Sequence, residues 1–144
     1  MIKRYLPWLI ILTLAAVLVL AALPQGVELR FMASPEEDIP YYVTYAPYFS
    51  LLPFGYANFS PLFTAVLTAV AFILSVIRLF LISRRLSSAV FVLSIIAVIT
   101  SVMPLLFGAF TFIGGAITAL LALTGLLAGM LHKLTKGENS HETD

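Results

Sequence analysis

The chain contains no cysteine. That excludes disulfides, thiol nucleophiles, thiolate metal sites and quinone-linked disulfide chemistry. It also lacks any Asp or Glu between Asp38 and Glu138. Carboxylates are the usual proton carriers, cation ligands and general bases inside a membrane protein. Proton-coupled or cation-coupled chemistry has no such group to use in that stretch, although passive permeation is not excluded. Charge is scarce throughout: 10% of the 144 residues are charged, 61% are hydrophobic, and the mean hydropathy is +1.06. A soluble domain needs more polar surface than this. The net charge of +1 provides no field for nucleic acid. Phosphate-binding glycine loops, serine-nucleophile elbows and paired catalytic carboxylates are missing from the pattern as well.

What is present is length in apolar runs. A hydrocarbon core about 30 Å thick takes roughly 20 apolar residues in a helix. Four runs qualify: Tyr5 to Leu23, Leu62 to Ile82, Ala89 to Phe107 and Phe112 to Leu131. None alternates like a barrel strand. The expected fold is an all-α membrane protein, a single four-helix domain over residues 1–144. A long outer loop (24–61) joins helices one and two, and a polar tail (132–144) follows the last helix.

Basic residues orient the spans. Lys3, Arg4, Arg78, Arg84, Arg85, Lys133 and Lys136 all fall on one side of an even number of crossings, and Arg30 alone falls on the other. The positive-inside rule then predicts a multi-pass protein of the cell membrane with both termini cytoplasmic. Tyr5 and Trp8 would sit at the cytoplasmic headgroup level. The first run is longer than the apolar core of a signal peptide, so it is read as an uncleaved span; an intact Met1 by mass spectrometry is the corresponding expectation.

The outer loop holds six of the eight prolines and five of the six tyrosines. Such a density of rigid rings does not suit a disordered linker. Ser34-Pro35-Glu36-Glu37 reads as a helix start, limited to about one turn by Pro40. Tyr41, Tyr45, Tyr48 and Leu52 follow at i, i+4, i+7 and i+11, the spacing of a short helix lying along the membrane, interrupted by Pro47. Phe54-Gly55-Tyr56 reads as a turn. Two functions fit the loop. It is either a recognition surface carried by Tyr41, Tyr42, Tyr45, Tyr48 and Phe49, or a lid whose rings sit among headgroups. Asn58-Phe59-Ser60 matches a glycosylation sequon, read as a chance match because it lies so close to the second span.

Small residues recur along three spans. The second carries Thr64, Thr68, Ala71, Ser75 and Arg78. The third carries Ser87, Ser94, Ala97 and Ser101, with Val90 breaking the run and Pro104 near its outer end. The fourth carries Thr111, Gly115, Thr118, Ala122, Gly125 and Gly129, with a G-x-x-x-G pair at its end. Small residues let helices approach in lipid, so these faces are expected to pack together. The first span offers only Thr13, Ala15 and Ala16 and is expected to pack loosely or to face a partner.

Arg78 lies about a turn from the cytoplasmic end and is expected to snorkel to headgroups. Arg84 and Arg85 are expected to contact anionic lipid. His132 and His141 have no metal-ligand spacing, and Glu36, Glu37 and Asp38 form a solvated acidic turn. No cofactor or metal is implied. The order of spans and loops resembles the topology of claudin-type tetraspan proteins. The likeness is one of layout only, since the cysteine pair and tryptophan motif of that family's first outer loop are absent, and no family is claimed.

The expected function is non-enzymatic: an accessory or membrane-organising subunit that works through helix packing and its outer loop. Its partners would be the lipid bilayer and either another membrane protein or a second copy of the chain, with no nucleic acid. The alternatives are a small transporter or channel component built from the Ser/Thr faces, and a lipid-acting enzyme using Arg84, Arg85 and His132.

Overall fold

The structure is a computed structural model. It describes residues 2–33, 35, 40–52, 58–106, 108 and 111–138, with side chains described from residue 4 to residue 135 within those limits. The elements in chain order are α1 (Ile2–Ala22), β1 (Val27–Met32), β2 (Tyr41–Ala46), α2 (Ser60–Phe80), α3 (Arg84–Leu106) and α4 (Phe112–Glu138). Four helices among the described residues are long and apolar enough to cross a membrane: Arg4–Ala22, Ser60–Phe80, Arg84–Leu106 and Phe112–Thr135. The expected helix start at residues 34–37, the acidic turn, the turn at 54–56 and the tail beyond residue 138 lie outside the described residues.

Each helix packs against its neighbours in sequence, and α1 closes the ring against α4. This is the up-down-up-down arrangement that short connections favour. The interior is built from repeats of three and four residues. On α2 it comprises Thr64, Ala65, Thr68, Ala71, Ser75 and Arg78, and on α3 Ser87, Val90, Ser94, Ala97, Ser101 and Pro104. Val90 thus continues the α3 face rather than breaking it.

The first helix carries a continuous buried face made mainly of large rather than small side chains. Leu6, Ile10, Leu14, Val17 and Ala21 are all buried. They recur every three or four residues and present a stripe of large side chains. That stripe meets Ile117, Leu121, Thr124, Ala128 and Leu131 of α4, which are also buried. Small residues are one way to bring helices together, and complementary Leu and Ile stripes are another. On α4 the small-residue face is turned toward α3 instead: a Cβ built at Gly129 would lie 3.0 Å from the Phe91 ring, and one at Gly125 would lie 4.0 Å from the Ser94 Cβ. Ala122, expected in a packed interface, is exposed on the outer surface. Its hundred-degree step per residue carries it just past the edge of that face.

The connection between α1 and α2 corrects the sequence reading most. Residues 41–46 form a strand, not a helix, paired antiparallel with β1 in the register Val27↔Ala46 to Met32↔Tyr41. Three physical reasons favour the strand. Pro40 and Pro47 bracket a segment too short for a self-sustaining helix, and Pro47 biases Ala46 away from helical geometry. Tyr, Val and Thr prefer the pleated surface. Val27-Glu28-Leu29-Arg30-Phe31 alternates apolar and polar residues, which supplies a partner strand with one buried face.

Candidate functional site

The ribbon of β1 and β2 sits on the end of the bundle opposite Arg4, Arg78, Arg84 and Arg85. It is fixed there by one cluster of contacts. Val27, Leu29, Ala46 and Tyr48 are buried against the helix ends. The Tyr48 N–H donates to the Ala21 carbonyl at 2.9 Å, at the end of α1. The Thr111 hydroxyl donates to the Gly26 carbonyl at 2.6 Å and accepts from the Gly114 N–H at 3.0 Å, tying the start of α4 to the same turn. Gly26 leaves room for the Tyr48 ring: a Cβ there would approach Tyr48 Cδ2 to 2.8 Å. A Cβ at Gly114 would meet the Tyr48 hydroxyl at 3.1 Å. Two glycines and a threonine therefore frame the tyrosine socket.

Tyr48 is only 1% exposed and does not belong to an exposed recognition surface. It is an anchor. Burial pushes its phenol up to about 12, because the phenolate would lose solvation. Tyr41, Tyr42, Val43, Tyr45 and Phe49 are each about half exposed, and Met32 is 95% exposed. Successive strand residues point to opposite faces, so rings are presented on both sides of the outer strand. On β1 the Arg30 Nε donates to Glu28 Oε1 at 2.7 Å, and the guanidinium lies 5.4 Å from the centre of the Tyr41 ring. That hydrogen bond and the carboxylate charge raise an already high Arg30 pKa. A cleft of about 460 Å³ opens beneath, lined by Gln25, Glu28, Tyr45, Thr111, Phe112 and Ile113.

Between the helices, hydroxyls are used as fasteners. Thr64 and Thr100 bond across α2 and α3 at 2.8 Å and Thr13 and Thr124 across α1 and α4 at 2.9 Å, while the Thr118 hydroxyl donates to the Gly114 carbonyl of its own helix at 3.0 Å and lies 3.4 Å from the Ser101 carbonyl of α3. Thr68, Ser75 and Ser94 donate to the carbonyl four residues back in their own helix. Thr13, Thr64, Thr68, Ser75, Ser94 and Thr124 are buried and Thr100 and Thr118 half-buried, and all are satisfied, as polar side chains inside a bundle must be. Thr100 and Thr124 were not singled out by the sequence, because neither lies on a continuous small-residue stripe.

At the basic end Arg84 and Arg85 are exposed. Arg78 is only 8% exposed, its side chain turned in among the helices rather than extended past the helix end. Its Nε donates to Ser87 Oγ at 2.6 Å on α3, and its Nη2 to Thr135 Oγ1 at 3.4 Å on α4. The side chain turns inward because two hydroxyls meet it there. Beside it lies a cleft of about 380 Å³ bounded by Arg4, Pro7, Leu131, Leu134 and Thr135. His132 stacks on Phe91 with ring centres 6.2 Å apart, and its Nδ1 has no hydrogen-bond partner. Among the described residues no three His, Cys, Asp or Glu side chains gather as metal ligands.

In comparisons with known proteins, no family model, no curated protein and no solved structure matches this chain.

Proposed function

We propose that the chain is a multi-pass protein of the cell membrane, with its basic end and both termini cytoplasmic, that acts by association rather than catalysis. It is an accessory or membrane-organising subunit. The bundle fixes the β-ribbon at the outer surface, and the ribbon binds an outer segment of another membrane protein. The observation that carries this reading is the two-sided exposure of Tyr41, Tyr42, Val43 and Tyr45 on a strand that is held rigidly at its base. Rings that merely rested in the headgroup layer would need one face only. Rings on a two-stranded ribbon offer large contact area at low entropy cost.

A photoreactive phenylalanine in place of Tyr45 tests this. Irradiation of native membranes should give a protein adduct of discrete mass, reduced when Tyr41 and Tyr42 are replaced by Ser. Adducts with lipid alone would overturn the proposal. The seam of hydroxyls gives less support to a transport pathway, since those groups are spent on helix carbonyls and on one another.

A further inference from the structure

We infer that the cleft at the basic end is a binding site for the phosphate of an anionic phospholipid. The argument begins with a charge. Arg78 is buried where α2, α3 and α4 meet, and both groups that bond it, Ser87 and Thr135, are neutral. Among the described residues no carboxylate pairs with it. A buried cation without a counter-charge is costly. Within the four spans no counter-charge is available, because the sequence supplies no acid between Asp38 and Glu138.

The geometry favours an anion that arrives through the cleft. The two hydroxyls hold the guanidinium in place, so its orientation is set before a ligand arrives. A guanidinium carries five N–H groups in a rigid fork, and the bonds to Ser87 and Thr135 leave part of that fork free. Arg4, an exposed residue, lines the same cleft from α1. One phosphate placed between the two arginines would make charge-assisted hydrogen bonds to both.

The remaining walls distinguish a lipid from a free ion. Pro7, Leu131 and Leu134 line the cleft beside the arginines. The cleft also lies where apolar helices give way to charged ends, the depth of a headgroup in a bilayer. An acyl chain can follow the apolar wall while the phosphate sits on Arg78 and Arg4. The site rests on the membrane reading of the fold and is independent of whether the ribbon binds a partner.

Native mass spectrometry of the full chain, purified in detergent and supplied with equal amounts of phosphatidylglycerol and phosphatidylcholine, tests the site. One phosphatidylglycerol should be retained in preference to phosphatidylcholine. Arg4→Gln should lower that retention about fivefold or more, and Arg78→Gln should abolish it. The double variant Arg84→Gln/Arg85→Gln, which removes two charges from the same end but none from the cleft, should retain the lipid. Because Arg78 also braces the helices, Arg4→Gln is the decisive variant, with helicity by circular dichroism as its check. Equal loss in the Arg84/Arg85 variant would overturn the inference, as would equal retention of phosphatidylcholine. Displacement of the lipid by millimolar inorganic phosphate would overturn the lipid assignment and make this a free-phosphate site.

Discussion

At the scale of single residues, Tyr48 joins the bundle to its ribbon, and its chemistry makes the joint sensitive to alkali. The fold holds the neutral phenol, whose pKa rises to about 12 from an ordinary value near 10. The stabilisation is therefore complete below about pH 10 and is lost as pH rises through about 12, a difference on the order of 2–3 kcal/mol. A spectrophotometric titration should show one tyrosinate component near pH 12 that disappears in Tyr48→Phe. The socket makes a second, coupled prediction. In Gly26→Ala the new Cβ would stand 2.8 Å from the ring and 3.2 Å from the Ala46 carbonyl oxygen. Backbone cannot move aside as a side-chain tip can, so a loss of about 1–3 kcal/mol is expected, measured by thermal unfolding in detergent. Because the ring would also be displaced from its burial, the late tyrosinate component should move back toward pH 10 in the same variant. A late component unchanged in Gly26→Ala would show that the glycine does not frame the socket.

At the scale of elements, the helices and the ribbon differed in how far the sequence revealed them. Twenty apolar residues have few alternatives to a helix in lipid, so the four long runs were readable directly. The faces of α2 and α3 were readable because hydroxyls and alanines at a repeat of three and four stand out against Leu, Ile and Val. The face of α1 was hidden, since Leu6, Ile10, Leu14 and Val17 look like every other apolar residue around them. The ribbon was hidden for another reason. Tyr41, Tyr45 and Tyr48 have helical spacing by coincidence, whereas the informative signal was the alternation across Val27 to Phe31, some ten residues earlier. The partners of Arg78 were hidden because only tertiary structure brings Ser87 and Thr135 to it. The absence of native cysteine makes the register directly testable. Opposed residues in an antiparallel pair have Cα atoms about 4.5–5.5 Å apart, within disulfide reach. Arg30→Cys with Val43→Cys should therefore oxidise readily, both positions being exposed and opposed. Arg30→Cys with Thr44→Cys, one residue out of register and facing the other way, should not. Equal crosslinking of the two pairs would mean that the ribbon slips.

At the scale of the whole molecule, the path of the chain gathers basic charge at one end of the bundle. Arg4 starts α1, Arg78 ends α2, Arg84 and Arg85 start α3, and Lys133 lies near the end of α4. The antiparallel path of the helices collects all of them at one end, while Arg30 on the ribbon is matched by Glu28. Basic residues are retained on the cytoplasmic side during insertion, so the ribbon should face outward. Two single-cysteine variants separate this orientation from its inverse. Tyr45→Cys should react with a membrane-impermeant maleimide on intact cells. Arg85→Cys, exposed at the opposite end, should react only after permeabilisation. Labelling in the reverse order would invert the protein and place the ribbon in the cytoplasm. It would also move the Arg4–Arg78 cleft to the outer leaflet, so this measurement decides which leaflet must supply the anion. Labelling of both variants on intact cells would mean that the protein inserts in both orientations or that α2 does not cross the membrane, the latter contrary to the closed ring in which α1 packs on both α2 and α4.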